Sequence, residues 1–166
     1  MVHQDIQQVH NMISIWTDGS ARFNPGPGGW AAVLKYGEHV KEISGSVRMT
    51  TNNRMELTSV IEAIKCLKRK GLDLQIYSDS SYVVNAISKG WLENWVKTNF
   101  KGKANADLWK EYLQVSKDFN ITMIWVKGHA TNEGNNRCDQ LATAASADAN
   151  KANWGVDAIY ESLIKK

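Results

Sequence analysis

The spacing of apolar residues along the chain limits the possible folds more than any other feature. This spacing changes once, from the period of a strand to the period of a helix. Residues 13–18 alternate apolar and polar side chains up to Gly19, and residues 30–36 and 39–47 follow as two more extended segments. A period of two is typical of half-buried strands, and short connections favour antiparallel pairing. The start of the chain therefore predicts a three-stranded meander, with a loop rich in glycine and proline over residues 19–29.

From about residue 53 onward the apolar side chains recur at helical spacing instead. This pattern predicts helices over residues 53–70, 80–89, 106–119 and 135–149, strands over 74–79 and 121–126, and an irregular basic stretch at 91–104. Strands separated by helices pair in parallel through right-handed crossovers. The expected fold is α/β (mixed α+β): a five-stranded mixed sheet with helices packed on both faces.

The 166 residues fit one ordinary domain, and no apolar run is long enough to span a membrane. We expect a polar lead-in at residues 1–11, one folded domain at 12–149 and a tail helix at 150–166. The lead-in lacks the pattern of a signal peptide, and Cys66 and Cys138 have no zinc-site spacing. These features favour a cytoplasmic protein with two free thiols, and the apolar residues of the tail favour packing on the body over oligomerisation.

A basic and aromatic stretch stands out against the modest net charge of +3. Lysines and large aromatic residues alternate there: Lys89, Trp91, Trp95, Lys97, Phe100, Lys101, Lys103, Trp109 and Lys110. Cations interleaved with flat rings suit a polyanion with stackable bases. A helical surface with a partly buried row of aromatic side chains explains the same pattern.

Two aspartates, Asp18 and Asp79, end predicted strands that can be neighbours in a parallel sheet. Sites in such sheets form where strands end, and two adjacent carboxylates repel unless one takes a proton or a cation lies between them. Ligands that are all oxygen select a hard ion such as Mg²⁺ or Mn²⁺. Each aspartate also has a structural explanation, because Asp before Gly is common in turns and Asp79 could cap the next helix.

Three further residues each have a functional and a structural explanation. Glu56 follows Asn53 at the spacing of a capping box, yet it lies at the edge of the apolar stripe and can face the sheet. Asp139 could complement the dipole of its helix. His129, in a polar loop, is either a solvated side chain or a proton-transfer group.

Four segments resemble signatures of the type 1 ribonuclease H family, in the order that the family has them. They are TDGSARFNPGPGGWA, TTNNRMEL, SDSSYV and KGHATNEGNNRCDQLA, spread over residues 13–145. The chain is therefore similar to a bacterial-type ribonuclease HI. The resemblance implies a ribonuclease H-like fold and an endonuclease that cuts the RNA strand of RNA–DNA hybrids, leaving 5′-phosphate and 3′-hydroxyl ends.

The resemblance also assigns roles to individual residues. Asp18, Glu56, Asp79 and Asp139 would hold two Mg²⁺ ions, or Mn²⁺, and His129 would move a proton and help the product leave. The implied contacts to the RNA strand come from Gly19, Ser20, Asn52 and Asn53, and those to the DNA strand and phosphates from Asn24, Thr51, Lys97 and Lys127. Either Trp91 or Trp95 would contact a DNA sugar. No obligate protein partner is evident, so a monomer is expected.

The chain departs from the family pattern at three places. Ser81 stands where glutamine is common, and Phe23 where a small residue is common. The basic protrusion between Trp95 and Trp109 is several residues shorter than in well-known bacterial members. A shorter protrusion predicts weaker hybrid binding with a shallower salt dependence.

Three other functions compete with this interpretation. An integrase, transposase or resolvase core shares an acidic site but acts on DNA, and the TTNNRMEL and GHA segments argue against it. A non-catalytic hybrid-binding module would have lost at least one of the four acids, and all four are present. A domain of a reverse transcriptase would have the same chemistry in another context.

Overall fold

The antiparallel meander at the start of the sheet confirms the first prediction. The computed structural model describes residues 12–128, 133–147 and 155–165. Strands β1 (Met12–Ala21), β2 (Gly26–Tyr36) and β3 (His39–Thr50) pair in order, antiparallel. The predicted loop at 19–29 is much shorter, since Ala21 pairs with Gly28 and only residues 22–25 turn. Two of its glycines, Gly19 and Gly29, are strand residues at which a Cβ would overlap the backbone of a helix packed on the sheet.

The remaining elements complete a five-stranded mixed sheet. They are α1 (Asn52–Lys65), β4 (Asp73–Ser78), α2 (Ser81–Ser88), α3 (Trp91–Lys97), α4 (Ala106–Ser116), β5 (Asn120–Trp125), α5 (Glu133–Ser146) and α6 (Ala158–Ile164). The strand order is β3-β2-β1-β4-β5, and β4 pairs in parallel with both β1 and β5. The mixed sheet predicted from the sequence is confirmed.

Helices cover both faces of the sheet, as predicted. On one face the larger core joins Ile15, Leu34 and Ile76 to α1, α2 and α4. On the other face Ala31 and Val33 pack against Cys138 and Ala142 of α5. Neighbouring residues of β2 thus pack into the cores on opposite faces of the sheet, because side chains alternate along a strand.

Two predicted boundaries in the second half of the chain are wrong. Helix α1 ends at Lys65 and not at Lys70, and the N–H of Gly71 donates to the carbonyl of Asp118 (2.8 Å). The stretch at 91–104 is not wholly irregular, because α3 occupies Trp91–Lys97 after Gly90, whose φ is +76°. Its buried Leu92 and half-buried Trp95 pack on the core, so tertiary contacts stabilise a helix with little sequence signal.

The tail helix α6 docks on the body mainly through polar contacts. The backbone of Gly155 pairs with β3, through its N–H to Ser46 (2.7 Å) and its carbonyl to Arg48 (3.0 Å). Arg48 also pairs with Glu161 of α6. The apolar residues expected to bury this helix stay largely exposed: Val156, Ile159, Leu163 and Ile164. No helix among the described residues could cross a membrane. Both cysteines are free thiols.

Arg54 connects three helices from a position that is only 1% exposed. Its Nη2 lies 2.7 Å from Asp107 of α4, and its Nε lies 2.8 Å from Asp157 at the start of α6. Tyr160 adds a cation–π contact at 5.5 Å. A buried guanidinium is tolerated when its charge is paired and its donors are used, and both conditions are met here.

We expect Arg54→Met to lower the free energy of unfolding by about 3 kcal/mol, because two carboxylates lose their buried partner. Arg48→Met removes a solvent-exposed partner of α6 and should cost below about 1 kcal/mol. Urea unfolding of both variants measures the difference. Equal losses would contradict a special role for the buried pair.

Candidate active site

The register of β1 and β4 brings Asp18 and Asp79 to the same edge of the sheet. Trp16 pairs with Tyr77 in parallel, and each aspartate follows two residues later on its own strand. Asp18 is 5% exposed and accepts a hydrogen bond from the N–H of Gly19 (2.9 Å). The two parallel strands therefore place two carboxylates side by side, as the sequence predicted.

Helix α1 adds Glu56 to this pair because it approaches β1 very closely. A Cβ at Gly19 would overlap the backbone of Met55 and lie 2.6 Å from the nitrogen of Glu56. Only glycine permits this approach. Glu56 is 9% exposed, and ligand oxygens of Asp18, Glu56 and Asp79 lie within 4.8 Å of one another. This requirement for glycine was missed in the sequence, where Gly19 signalled only a turn.

Asp139 approaches the same group of carboxylates from α5. Asp139 is near enough to raise the pKa of Asp18, and it lines the same cleft. Asp139 itself is solvent-exposed. The sheet and helices of both faces thus bring all four predicted acids together.

The carboxylates repel one another in a partly dry site. Burial and the nearby charge of Asp79 raise the pKa of Asp18 to about 8, with a further contribution from Asp139. Burial and the charges of Asp18 and Asp79 also raise the pKa of Glu56 well above its usual range. Among the described residues no donor serves the buried Oε2 of Glu56. A cation would relieve the repulsion, and an all-oxygen ligand set suits a hard divalent ion.

The structural explanations for three of the acids do not hold. Thr51, not Asn53, caps α1, so Glu56 is not part of a capping box. Ser80, not Asp79, caps α2 by accepting from the N–H of Val83 (3.2 Å). Helix α5 begins at Glu133, which places Asp139 in its second turn, beyond the reach of the first-turn dipole effect.

The predicted RNA contacts line the cleft around the acids. The cleft encloses about 420 Å³ and includes Gly19 and Ser20 of β1, Asn52 and Asn53 of α1, and Ser80, Ser81 and Tyr82 near the start of α2. Tyr82 was missed in the sequence. Its hydroxyl accepts from Trp109 (2.8 Å) and Asn105 (3.2 Å), which fixes the ring beside the cleft.

The predicted DNA-side residues lie at the N-terminus of α1 and in the turn beside it. The Oδ1 of Asn24 accepts from the N–H of Asn52 (2.9 Å), and the Oδ1 of Asn52 accepts from Ala21 (2.7 Å). Thr51 lies between these groups as the helix cap, accepting from Arg54. The two predicted positions, Asn24 and Thr51, are therefore neighbours in space.

The aromatic stretch resolves into one exposed ring and several packed ones. Trp91 is 40% exposed. Trp95 packs on Tyr82 and Trp109, with ring centroids 6.4 and 5.7 Å away, and Lys103 lies 5.5 Å above it. The buried row of aromatic side chains is thus real for every member except Trp91, which leaves Trp91 as the more accessible of the two candidates.

Both lysines that were predicted to contact the hybrid are exposed. Lys97 ends α3, and Lys127 follows β5; both are exposed. A Cβ at the next residue, Gly128, would lie 3.2 Å from Oδ2 of Asp79, so this loop begins beside the acids. His129 falls outside the described residues.

Comparisons with known proteins agree with this arrangement. The family model for RNase H matches residues 10–147. A Ribonuclease H of Thermoanaerobacter sp. (strain X514) is 55% identical over 138 residues, which cover 80% of this chain and 88% of that protein. A Ribonuclease HI of Helicobacter pylori is 53% identical over 130 residues, covering 78% and 90%.

A solved structure shares the architecture as well. The crystal structure of LC9-RNase H1, described as a type 1 RNase H with the type 2 active-site motif, superposes with a TM-score of 0.76 at 27% identity. The match covers 93% of this chain and 81% of that one. With the sheet order, the grouped carboxylates and these relatives in agreement, the chain belongs to the RNase H family of endoribonucleases.

Proposed function

We propose that this enzyme hydrolyses the RNA strand of RNA–DNA hybrids by two-metal-ion catalysis and leaves 5′-phosphate and 3′-hydroxyl ends. The observation that carries the proposal is the group of Asp18, Glu56 and Asp79, whose ligand oxygens lie within 4.8 Å, with Asp139 beside them. The cleft around them is open to solvent and contains polar side chains that suit a sugar–phosphate backbone.

The four acids would hold two Mg²⁺ ions, with Mn²⁺ as the alternative. Asp18, Glu56 and Asp79 would supply the closely grouped ligand oxygens, and Asp139 would add a ligand from the other side of Asp18. Such ions activate a water molecule and stabilise the leaving oxygen of an in-line displacement. The raised pKa values of Asp18 and Glu56 support this assignment, because they reflect carboxylates that lack compensating positive charge.

The protein's own part in the reaction is to hold the phosphate and move protons. The four acids would hold the ions next to the bound phosphate, and His129 would carry a proton and assist product release. Histidine is the side chain that most often performs such proton transfers in enzymes.

Recognition would depend on sugars and phosphates more than on base sequence. Gly19, Ser20, Asn52 and Asn53 would contact the RNA strand, where amide groups can both donate to and accept from a 2′-hydroxyl. Their position in the cleft beside Glu56 supports this role.

The DNA strand would lie along the exposed polar and aromatic groups next to the cleft. Asn24 and Thr51 would hold a DNA phosphate, and Lys97 and Lys127 would add positive charge. Trp91 is our choice for the ring that packs on a DNA sugar, because it is the exposed one of the two tryptophans.

We also propose a catalytic domain over residues 12–149 with a tail over 150–166, acting as a monomer in the cytoplasm. The ion pair between Asp157 and Arg54 supports a tail that stabilises helix α1. No observation on the described residues favours a second function.

We expect Asp18→Asn to abolish nearly all Mg²⁺-dependent cleavage, because the central ligand loses its charge. The assay uses labelled RNA–DNA hybrid, duplex RNA and duplex DNA, each with Mg²⁺ or EDTA. Asp118→Asn is the matched control, since this carboxylate pairs with Lys70 on the surface and should leave activity intact. Full activity of Asp18→Asn, or cleavage of duplex DNA instead of the hybrid, would overturn the proposal.

The raised pKa of Asp18 predicts how stability depends on pH without metal. Between pH of about 4 and 8 the folded state keeps a proton that the unfolded state has lost, so this group makes stability fall as pH rises. We expect Asp18→Asn to melt at a higher temperature than the wild type in EDTA at pH 8, with a smaller gain at pH 4. Added Mg²⁺ should raise the melting temperature of the wild type more than that of the variant.

We expect His129→Ala to slow turnover by less than Asp18→Asn does, because water can replace part of a proton-transfer role while no other group replaces the central ligand. Measurement of kcat on the same hybrid tests this. A loss as large as that of Asp18→Asn would mean that His129 has a different role.

A further inference from the structure

Phe23 is an apolar side chain that contributes almost nothing to the folded core. It is 91% exposed, the highest value among the large apolar side chains in the described part of the chain. Its φ is +64°, in the left-handed region that disfavours residues with a Cβ. Glycine would adopt this backbone without strain. Packing and local backbone energetics therefore both fail to explain a phenylalanine here, and strained exposed residues of this kind point to function.

The turn that carries Phe23 is fixed to the wall of the acidic cleft. The N–H of Arg22 donates to the carbonyl of Pro27 (2.7 Å), which closes the turn. Asn24 accepts from the backbone of Asn52, and Asn52 accepts from Ala21, so hydrogen bonds tie both sides of the turn to α1. Asn52 itself lines the cleft. Phe23 is thus an exposed ring on a well-anchored loop beside the candidate active site.

The position of this loop determines which surface of a bound duplex it would meet. Asn52 and Asn53 flank the acids on the side from which we expect the 2′-hydroxyls to be contacted, and these hydroxyls lie in the minor groove of an A-like duplex. The turn also carries Asn24, which would hold a DNA phosphate, so the loop lies between the expected contacts to the two strands, where the minor groove runs. Arg22, also exposed, stands next to Phe23 as a cation for the flanking phosphates.

We propose that Phe23 enters the minor groove of a bound RNA–DNA hybrid, packs its ring against the sugars, and favours the hybrid over duplex DNA. The proposal rests on the proposed function. A wide, shallow groove admits a phenyl ring, whereas the minor groove of B-form DNA is only about 6 Å wide.

The test is Phe23→Gly, which removes the ring and relieves the backbone strain at the same time. We expect an unchanged or higher melting temperature, together with a KM for the hybrid that rises about fivefold and a kcat that changes little. A residue with a purely structural role would not combine these effects. Phe23→Trp, which keeps a ring, should retain the KM of the wild type.

Val40→Thr provides the matched control. Val40 is another exposed apolar residue, but it pairs with Lys35 at the far end of β3 from the acids. This variant should leave KM unchanged. Duplex DNA, added as a competitor, should inhibit the wild type and Phe23→Gly with the same inhibition constant.

Each result that contradicts the proposal would overturn a different claim. An unchanged KM in Phe23→Gly would overturn the proposed contact between Phe23 and the hybrid, while hybrid cleavage itself would stand. An equal loss of affinity for hybrid and duplex DNA would overturn the groove preference. Failure of the wild type to cleave hybrids would overturn the proposed function.

Discussion

The parallel pairing of β1 with β4 is the constraint on which the rest of the site depends. It places Asp18 and Asp79 at one level, two residues beyond the paired Trp16 and Tyr77, whose rings stack at 5.1 Å. A slip of one residue would turn one carboxylate to the opposite face of the sheet. The helices then complete the site from both faces, and the close approach at Gly19 sets how near Glu56 comes.

Helix α1 carries both the best-paired and the worst-paired buried charges described in this chain. Arg54 and Glu56 are two residues apart, so they project from nearly opposite sides of the helix. Arg54 has two carboxylate partners, whereas Glu56 has two carboxylate neighbours that repel it. The ion pairs of Arg54 anchor the side of α1 opposite Glu56. They allow the helix to hold Glu56 in a place that is unfavourable without a cation. The favourable ion pairs of Arg54 thus offset the repulsion between Glu56 and its carboxylate neighbours.

Part of the site could be predicted from the residues themselves, and part only from their resemblance to the ribonuclease H family. Strand ends predicted Asp18 and Asp79 as neighbours, because parallel strands share an edge. Glu56 and Asp139 had equally good local explanations, and only the observed caps and helix start remove them. The choice between Trp91 and Trp95 was open, since exposure depends on which ring packs against Tyr82 and Trp109. Helix α3 was missed for the same reason, because its stability comes from contacts far away in sequence.

The fold class, the five strands and the pairing of Asp18 with Asp79 could be predicted from the residues alone. These follow from hydrophobic period and from residue type, which are local properties of the chain. The distances among the carboxylates, the burial of Glu56 and the exposure of Phe23 become apparent only in the folded protein. Burial and electrostatic repulsion depend on what surrounds a group in space, and side chains brought together by the sheet and helices come from segments that are distant along the chain.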